Sequence, residues 1–356
     1  KAVMEPTIGR LIAGDEVSVR HAYERFEAQP VTEERLTETL EPFGAQETTL
    51  EGTASAEGVG TFEKRKNAVL TFGPSAVPGW WIHRTDLKEQ LDVKVSVRNV
   101  WTSARNIVLR AGSPHNYLRM VEHIVALRLG LGVDNVRLSI AGGDPPLFDR
   151  SSLDLVEAVQ KARIVPTGRP ARYVTVREPV TIGGARGDFL TLLPAEPGDK
   201  RLHLDVAIAW DTVIGQQRLR VDLTPETFTR GAGARTNATQ TQYLFSKTLG
   251  KLFADVRNMG YTKDNILIHG KGGFVTTPRP EFDLGDGKSC EPVWHRTMLD
   301  LVAAIALIDR GRFIGTVKSY RAGHTLDVRL MTLLYMLDLL EVCLLYTSPS
   351  PRDVEE

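Results

Sequence analysis

The stretch NYLRMVEHIVALRLGLGVDNVRLSIAG, residues 116–142, decides the fold class because its hydrophobic period changes halfway along. Residues 116–133 carry apolar side chains at helical spacing and end in a glycine-rich stop, so they predict a helix. Residues 135–142 read as a strand. Residues 151–165, SSLDLVEAVQKARIV, open with a serine suited to an N-cap and predict a second helix.

The same order of elements returns in the second half of the chain. Strand-like stretches at residues 171–184, 188–196 and 201–210 precede a helical pattern at 242–260, a strand at 265–270 and a helix at 294–311. This pattern predicts an α+β fold with two domains, divided near the proline-rich turn at residues 166–170. The predicted domains span residues 46–168 and 169–342.

Both ends of the chain differ in character from these two predicted domains. Residues 1–45 form a charged N-terminal extension, in which residues 32–44 are predicted to be helical. At residues 343–356, CLLYTSPSPRDVEE, the helical pattern gives way to unrelated composition. We therefore expect a non-native tail there, and a natural C-terminus that is missing.

The amino-acid composition limits the kinds of function that the protein can have. The 356 residues include 44 Lys plus Arg and 44 Asp plus Glu, so no net positive charge favours a nucleic acid partner. Two cysteines, Cys290 and Cys343, are too few for a disulfide framework and are typical of a reducing cytosol. No run of about 18 apolar residues predicts a transmembrane segment. We expect a cytoplasmic monomer.

Three histidines stand in contexts that could converge on one site: His123, His295 and His324. Zinc enzymes commonly use three protein ligands drawn from His, Asp and Glu, together with a carboxylate that accepts a proton from water. Glu122, directly before His123, is a candidate for that carboxylate. The strong motif His-Glu-x-x-His is absent, so a shared metal site and ordinary partly buried histidines both stay open at this point.

Residues 48–340 resemble the zinc-dependent UDP-3-O-acyl-N-acetylglucosamine deacetylases of lipid A synthesis. The resemblance rests on separate segments that occur in the family's order: EGVGTF (57–62), HRTDL (83–87), the long segment 120–152 that begins MVEHIVAL, GARTN (233–237), TKDNILI (262–268), WHRTMLDLV (294–302) and YRAGHTLD (320–327). It implies two similar domains, each a small β-sheet packed on helices, with the helices sandwiched between the domains.

The resemblance also implies a role for each matching residue. The Zn2+ ligands would be His123, His295 and Asp300, and Glu122 would be the general base on water. The Thr236 hydroxyl would stabilise the oxyanion, and a charged His324 would protonate the leaving amine. Arg235 and Arg296 would contact substrate oxygens. The implied substrate is a UDP-linked acylated amino sugar that loses its N-acetyl group. An acyl-chain passage is expected from residues 205–223.

Two departures from the family pattern leave an alternative open. The family spaces its second His and its Asp by four residues, whereas His295 and Asp300 are five apart, which turns a regular helix about 140° instead of about 40°. A π-bulge, with i to i+5 bonding, would restore a common face. A second family Asp that orients the catalytic His is replaced by Ala304. The alternatives are therefore a weak or inactive relative that binds a nucleotide-sugar, or a structural protein whose candidate residues are scattered.

Overall fold

The computed structural model describes residues 8–63, 67–89, 91–248, 258 and 260–343. Their strands are β1 (Arg10–Ala13), β2 (Glu33–Arg35), β3 (Gln46–Leu50), β4 (Ala54–Gly60), β5 (Asn67–Pro74), β6 (Trp80–Arg84), β7 (Val93–Lys94), β8 (Val100–Thr102), β9 (Val108–Arg110), β10 (Tyr117–Leu118), β11 (Val136–Ile140), β12 (Pro146–Leu147), β13 (Ile164–Pro170), β14 (Tyr173–Val176), β15 (Val180–Gly183), β16 (Phe189–Leu193), β17 (Leu202–Ala209), β18 (Gln216–Asp222), β19 (Thr236–Thr239), β20 (Ile266–His269), β21 (Asp283–Gly285), β22 (Lys288–Ser289), β23 (Arg312–Phe313), β24 (Gly315–Tyr320) and β25 (Leu340–Cys343).

The helices are α1 (Glu16–Ala28), α2 (Glu122–Gly130), α3 (Leu153–Ala162), α4 (Pro225–Ala232), α5 (Gln240–Lys247), α6 (Glu291–His295), α7 (Val302–Ala306) and α8 (His324–Met336), with short 3-10 turns at Val97–Asn99 and Pro280–Phe282. Between α6 and α7 the chain forms a π-helix, Arg296–Leu301. Among the described residues, no helix has both the length and the apolar character needed to cross a membrane.

Two larger sheets organise the fold. The first has six strands in the order β12-β4-β5-β11-β6-β7. Helices α2 and α3 come from the same half of the chain as these strands. The second has seven strands in the order β1-β15-β16-β24-β17-β18-β2. Helix α2 packs against α7 and the π-helix, so helices from the two halves of the chain meet. The mixed architecture agrees with the predicted α+β class.

The largest cluster of buried apolar side chains is shared between the two halves. It includes Leu70 and Ile82 of the six-stranded sheet, Leu190 and Val206 of the seven-stranded sheet, and helix residues between them. Because this core is continuous across both halves, it does not mark a boundary between two domains. The two-domain arrangement and its boundaries therefore stay a prediction.

The N-terminal extension is part of the seven-stranded sheet. β1 pairs with β15 at one edge and β2 pairs with β18 at the other. Helix α1 buries Val19, Ala22 and Phe26 against side chains that include Phe189 and Tyr320. Because α1 covers one face and α6 and α8 contact the other, β15 and most of β16 are buried on both faces, which explains their nearly continuous apolar sequence.

Several local predictions are wrong or fall outside the described residues. Residues 32–44 form β2 and turns instead of a helix, because pairing with β18 overrides local propensity. Residues 205–223 supply the paired strands β17 and β18 of the sheet, so they do not build an acyl-chain passage. In the predicted helix 242–260, residues 249–257 and 259 lie outside the described residues, as do residues 344–356 of the predicted tail. Cys343 ends β25 opposite Tyr173.

Candidate active site

Glu122 and His123 are the first two residues of α2, and the backbone before them sets their direction. Met120 has a left-handed backbone, with φ of 47°, which is uncommon outside glycine and is found at functional sites. It turns the chain from β10 into the helix. The Glu122 side chain is buried, and its Oε2 accepts a hydrogen bond of 3.0 Å from the backbone N–H of Ile107.

His295 and Asp300 lie on one continuous helical run, and the predicted π-bulge is confirmed there. His295 ends α6, and the π-helix Arg296–Leu301 follows directly. The N–H of Val302 donates to the carbonyl of Thr297, five residues earlier. The Thr297 hydroxyl donates to the Val293 carbonyl at 2.7 Å, a side-chain bond that competes with the regular helical ladder. The extra residue is thereby absorbed within the helix.

The structure brings six of the predicted site residues together. Nε2 of His123 lies 3.3 Å from Nε2 of His295, and the Thr236 hydroxyl lies 3.4 Å and 3.2 Å from these two nitrogens. Asp300 lies 3.7 Å from Nδ1 of His295. Nε2 of His324 lies 3.6 Å from an Asp300 oxygen and 3.7 Å from an oxygen of Glu122. The reading in which these side chains are scattered is therefore wrong.

Burial and mutual charge give these groups different protonation states. Burial, assisted by His295, lowers the pKa of His123 to about 3, and burial also lowers the pKa of His295. Burial raises the pKa of Glu122. For His324 burial opposes the charged form, but the Asp300 and Glu122 carboxylates outweigh it and raise its pKa. The surroundings thus favour the neutral form of His123 and His295, which suits metal ligation, and the charged form of His324, which suits proton donation.

Arg235 and Arg296 are both buried and bonded to carboxylates. Arg235 donates to Glu291 from Nε at 2.7 Å and from a terminal nitrogen at 3.0 Å. Arg296 donates to both oxygens of Asp327 at 2.6 Å and 2.7 Å. The substrate contacts predicted for both arginines stay untested, and each guanidinium already has buried carboxylate oxygens as partners. Sequence reasoning missed Glu291 and Asp327, although each stands within one helical turn of a predicted site histidine.

The donor set fits zinc in its chemistry. A tetrahedral ion with nitrogen ligands at about 2.0–2.1 Å holds two of them about 3.3–3.4 Å apart, which matches His123 and His295. Asp300 contacts Nδ1 of His295 and Nε2 of His324. In the described part of the chain, no three His, Cys, Asp or Glu side chains have their ligand atoms gathered as a metal site requires. The two histidines have the required separation, whereas the contact of Asp300 with His295 is at Nδ1 and not at the Nε2 atom that faces His123.

One nitrogen of His324 has no partner. Its Nδ1 is buried and, within the described residues, makes no hydrogen bond. Ala304, at the position where the family pattern has an orienting Asp, is also fully buried and offers no acceptor from its side chain. The structure thus agrees with the sequence, in which Ala304 replaces the orienting Asp of the family pattern.

Comparison with known proteins gives the family. The family model described as LpxC, UDP-3-O-acyl N-acetylglycosamine deacetylase, matches residues 47–336. A protein named UDP-3-O-acyl-N-acetylglucosamine deacetylase from Geobacter sp. (strain M21) is 28% identical over 287 residues, 80% of this chain and 87% of the relative. The protein of that name from Thermosynechococcus vestitus is 32% identical over 288 residues, 79% of this chain and 91% of the relative. The one from Brucella ovis is 27% identical, with 80% and 93% covered.

A buried carboxylate, two paired imidazoles and a histidine whose charged form is favoured can supply the acid–base chemistry of an amide hydrolase. The chain belongs to the UDP-3-O-acyl-N-acetylglucosamine deacetylase family. Residues 8–46 of the described part, with β1, α1 and β2, precede the matched part.

Proposed function

We propose that this enzyme hydrolyses the N-acetyl group of UDP-3-O-acyl-N-acetylglucosamine, giving the free amine and acetate, as a step of lipid A biosynthesis. The observation that carries the proposal is that six side chains are linked by contacts of 3.2–3.7 Å: Glu122, His123, Thr236, His295, Asp300 and His324. The names of the relatives supply the substrate.

Zn2+ would be held by His123, His295 and Asp300. When bound, it supplies a Lewis acid that polarises the amide carbonyl and makes water easier to deprotonate. The lowered pKa of both imidazoles keeps their nitrogens available as ligands at neutral pH.

Glu122 accepts the proton of the attacking water. Its raised pKa suits a base that must hold that proton briefly, and the hydrogen bond from Ile107 fixes the carboxylate. The Thr236 hydroxyl donates a hydrogen bond to the oxyanion that develops on the amide oxygen, a contribution of about 3 to 4 kcal/mol for a well-placed donor.

His324 is the proton donor to the leaving nitrogen. Its charged form is favoured because Asp300 and Glu122 raise its pKa against the effect of burial. After the C–N bond breaks and the amine takes the Nε2 proton, the proton held by Glu122 can return to Nε2, since the two atoms lie 3.7 Å apart. Water and amide are thereby converted to acetic acid and amine, and acetic acid releases its remaining proton at neutral pH to give acetate.

Two cavities suit the two arms of such a substrate. The first, of about 520 Å3, includes Thr236 of the cluster, and its lining combines aromatic side chains such as Tyr243 with polar ones such as Asn237 and Gln242; we assign the acyl chain to it. A second cavity of about 500 Å3 contains arginines and aromatic rings. Arg105 borders both cavities.

The second cavity suits the nucleoside diphosphate. Arg105, Arg110 and Arg119 line it together with Trp101 and Tyr117, and no carboxylate is among its described lining residues. The Arg110 guanidinium lies 3.4 Å above the Trp101 ring, which holds the cation in place. Arginines suit phosphate oxygens, and aromatic rings suit a planar base. The substrate contacts predicted for Arg235 and Arg296 stand beside this assignment as separate proposals.

The test is turnover by the purified, zinc-loaded protein, measured as free amine released from UDP-3-O-acyl-N-acetylglucosamine. Glu122→Gln should lower kcat by at least about 100-fold, because the general base is lost. Arg105→Gln should mainly raise KM. A folded, zinc-bound parent protein without turnover would refute the proposal. The alternative of an inactive binder is not favoured, since the relatives carry the name of the enzyme.

A further inference from the structure

Glu33 connects the N-terminal segment to the helix that carries His295. It lies on β2, in the part of the chain that precedes the residues matched by the family model. β2 runs parallel to β18, with Glu33 opposite Leu219. The Glu33 side chain is only 16% exposed and points to α6. The family pattern therefore says nothing about this residue.

The Glu33 carboxylate contacts the first turn of α6 at two points. Nε1 of Trp294 donates to Oε2 at 2.7 Å, and Sγ of Cys290 donates to the same oxygen at 3.4 Å. Cys290 is the N-cap residue of α6 and makes no side-chain cap bond of its own. Arg230 lies 3.3 Å from the other Glu33 oxygen and 5.0 Å above the Trp294 ring. The carboxylate thus joins both ends of one helical turn.

The turn that Glu33 contacts ends at His295. Trp294 is fully buried and directly precedes His295 on the same helix. Any rotation of the helix backbone therefore moves both side chains together. The opposite end of α6 is held by Glu291, which binds Arg235, the neighbour of Thr236. A side-chain tip about 6 Å from a helix axis moves about 1 Å for each 10° that the helix rotates. A shift of that size exceeds the tolerance of a catalytic constellation.

We infer that Glu33 is a positioning residue: by holding Trp294 it fixes the rotation of α6, and so places Nε2 of His295 opposite Nε2 of His123. The inference rests on the proposed function only for its effect on turnover. The segment before the family-matched residues would thus contribute to the reaction, although it lies far from the site residues along the chain.

The experiment compares Glu33→Ala, Glu33→Gln and Trp294→Phe with a matched control, Glu34→Ala. Glu34 is the next residue on β2, and it pairs with Arg220 at the surface with both side chains well exposed. Zinc affinity is measured by competition with a chelator, and kcat and KM are measured at saturating zinc. The histidine ring signals are followed by NMR in all variants.

Glu33→Ala is expected to weaken zinc binding about 10- to 100-fold and to lower kcat with little change in KM, whereas Glu34→Ala matches the parent. Glu33→Gln keeps an acceptor for Trp294 and should recover much of the loss. Trp294→Phe should resemble Glu33→Ala, and the double variant should be no worse than either single one. Equal zinc affinity and kcat in Glu33→Ala and Glu34→Ala would overturn the inference.

The outcomes separate this inference from the proposed function. If Glu33→Ala does not fold, Trp294→Phe decides, because an unchanged zinc affinity there contradicts the positioning role. If the parent binds zinc without turnover, the proposed function fails and the zinc affinities still test Glu33. If the parent binds no zinc, the His295 ring signals decide: a shift in Glu33→Ala that Glu34→Ala lacks supports the inference, and identical spectra refute it.

Discussion

The ion pair between Arg296 and Asp327 should be the most sensitive polar contact in the site region. Arg296 stands next to His295 on the π-helix, and Asp327 lies three residues after His324 in the first turn of α8. The two bonds of 2.6 Å and 2.7 Å join helices that carry different parts of the proposed machinery. Both side chains are at most 7% exposed, so solvent does not screen the pair.

Asp327→Asn or Arg296→Met should each lower the free energy of unfolding by about 3 to 5 kcal/mol, because the remaining charge stays buried without its partner. Two charge-assisted hydrogen bonds at about 1.5 to 3 kcal/mol each give a similar total, about 3 to 6 kcal/mol. The double variant Arg296→Met with Asp327→Leu should recover most of this loss, since no buried charge is left.

Urea unfolding of the metal-free proteins measures these differences, with Glu34→Gln as the control that removes one charge of an exposed pair. The control should change the free energy of unfolding by less than about 1 kcal/mol. The reasoning is refuted if each single variant costs less than about 1 kcal/mol, or if the double variant costs as much as the two single losses added together.

Four further outcomes are expected. Gly231→Ala would place its methyl group 2.2 Å from Cγ of Met298, so urea unfolding should show a loss of about 1 to 3 kcal/mol. Ala304→Asp should supply an acceptor for Nδ1 of His324, and kcat at saturating zinc should rise about tenfold; an unchanged kcat would contradict this. A hydrogen bond to a buried carboxylate raises the pKa of His203, so its contribution to stability is complete below about pH 6.5 and is lost as pH rises through the raised pKa. In His203→Gln, the free energy of unfolding should therefore decrease less than in the parent as the pH rises above about 6.5. Removal of metal with a chelator should abolish turnover, and added Zn2+ should restore it.

The sequence by itself determined the α+β class, the family and the π-helix. Helix α3 and strands such as β11, β17 and β20 follow local sequence patterns, which need no knowledge of distant residues. The π-helix follows from the five-residue spacing of His295 and Asp300 in one apolar helical run, because an α-helix would point the two side chains to different faces.

Only the tertiary structure decided the partners of the buried charges and the role of the N-terminal segment. Glu33 and Trp294 are 261 residues apart in the chain, and no local pattern marks such a pair. The sequence predicts substrate contacts for Arg235 and Arg296, and only the structure shows Glu291 and Asp327 beside them. Charged side chains have the same sequence signature whether they face substrate, solvent or a buried carboxylate, and only the packed fold distinguishes these surroundings.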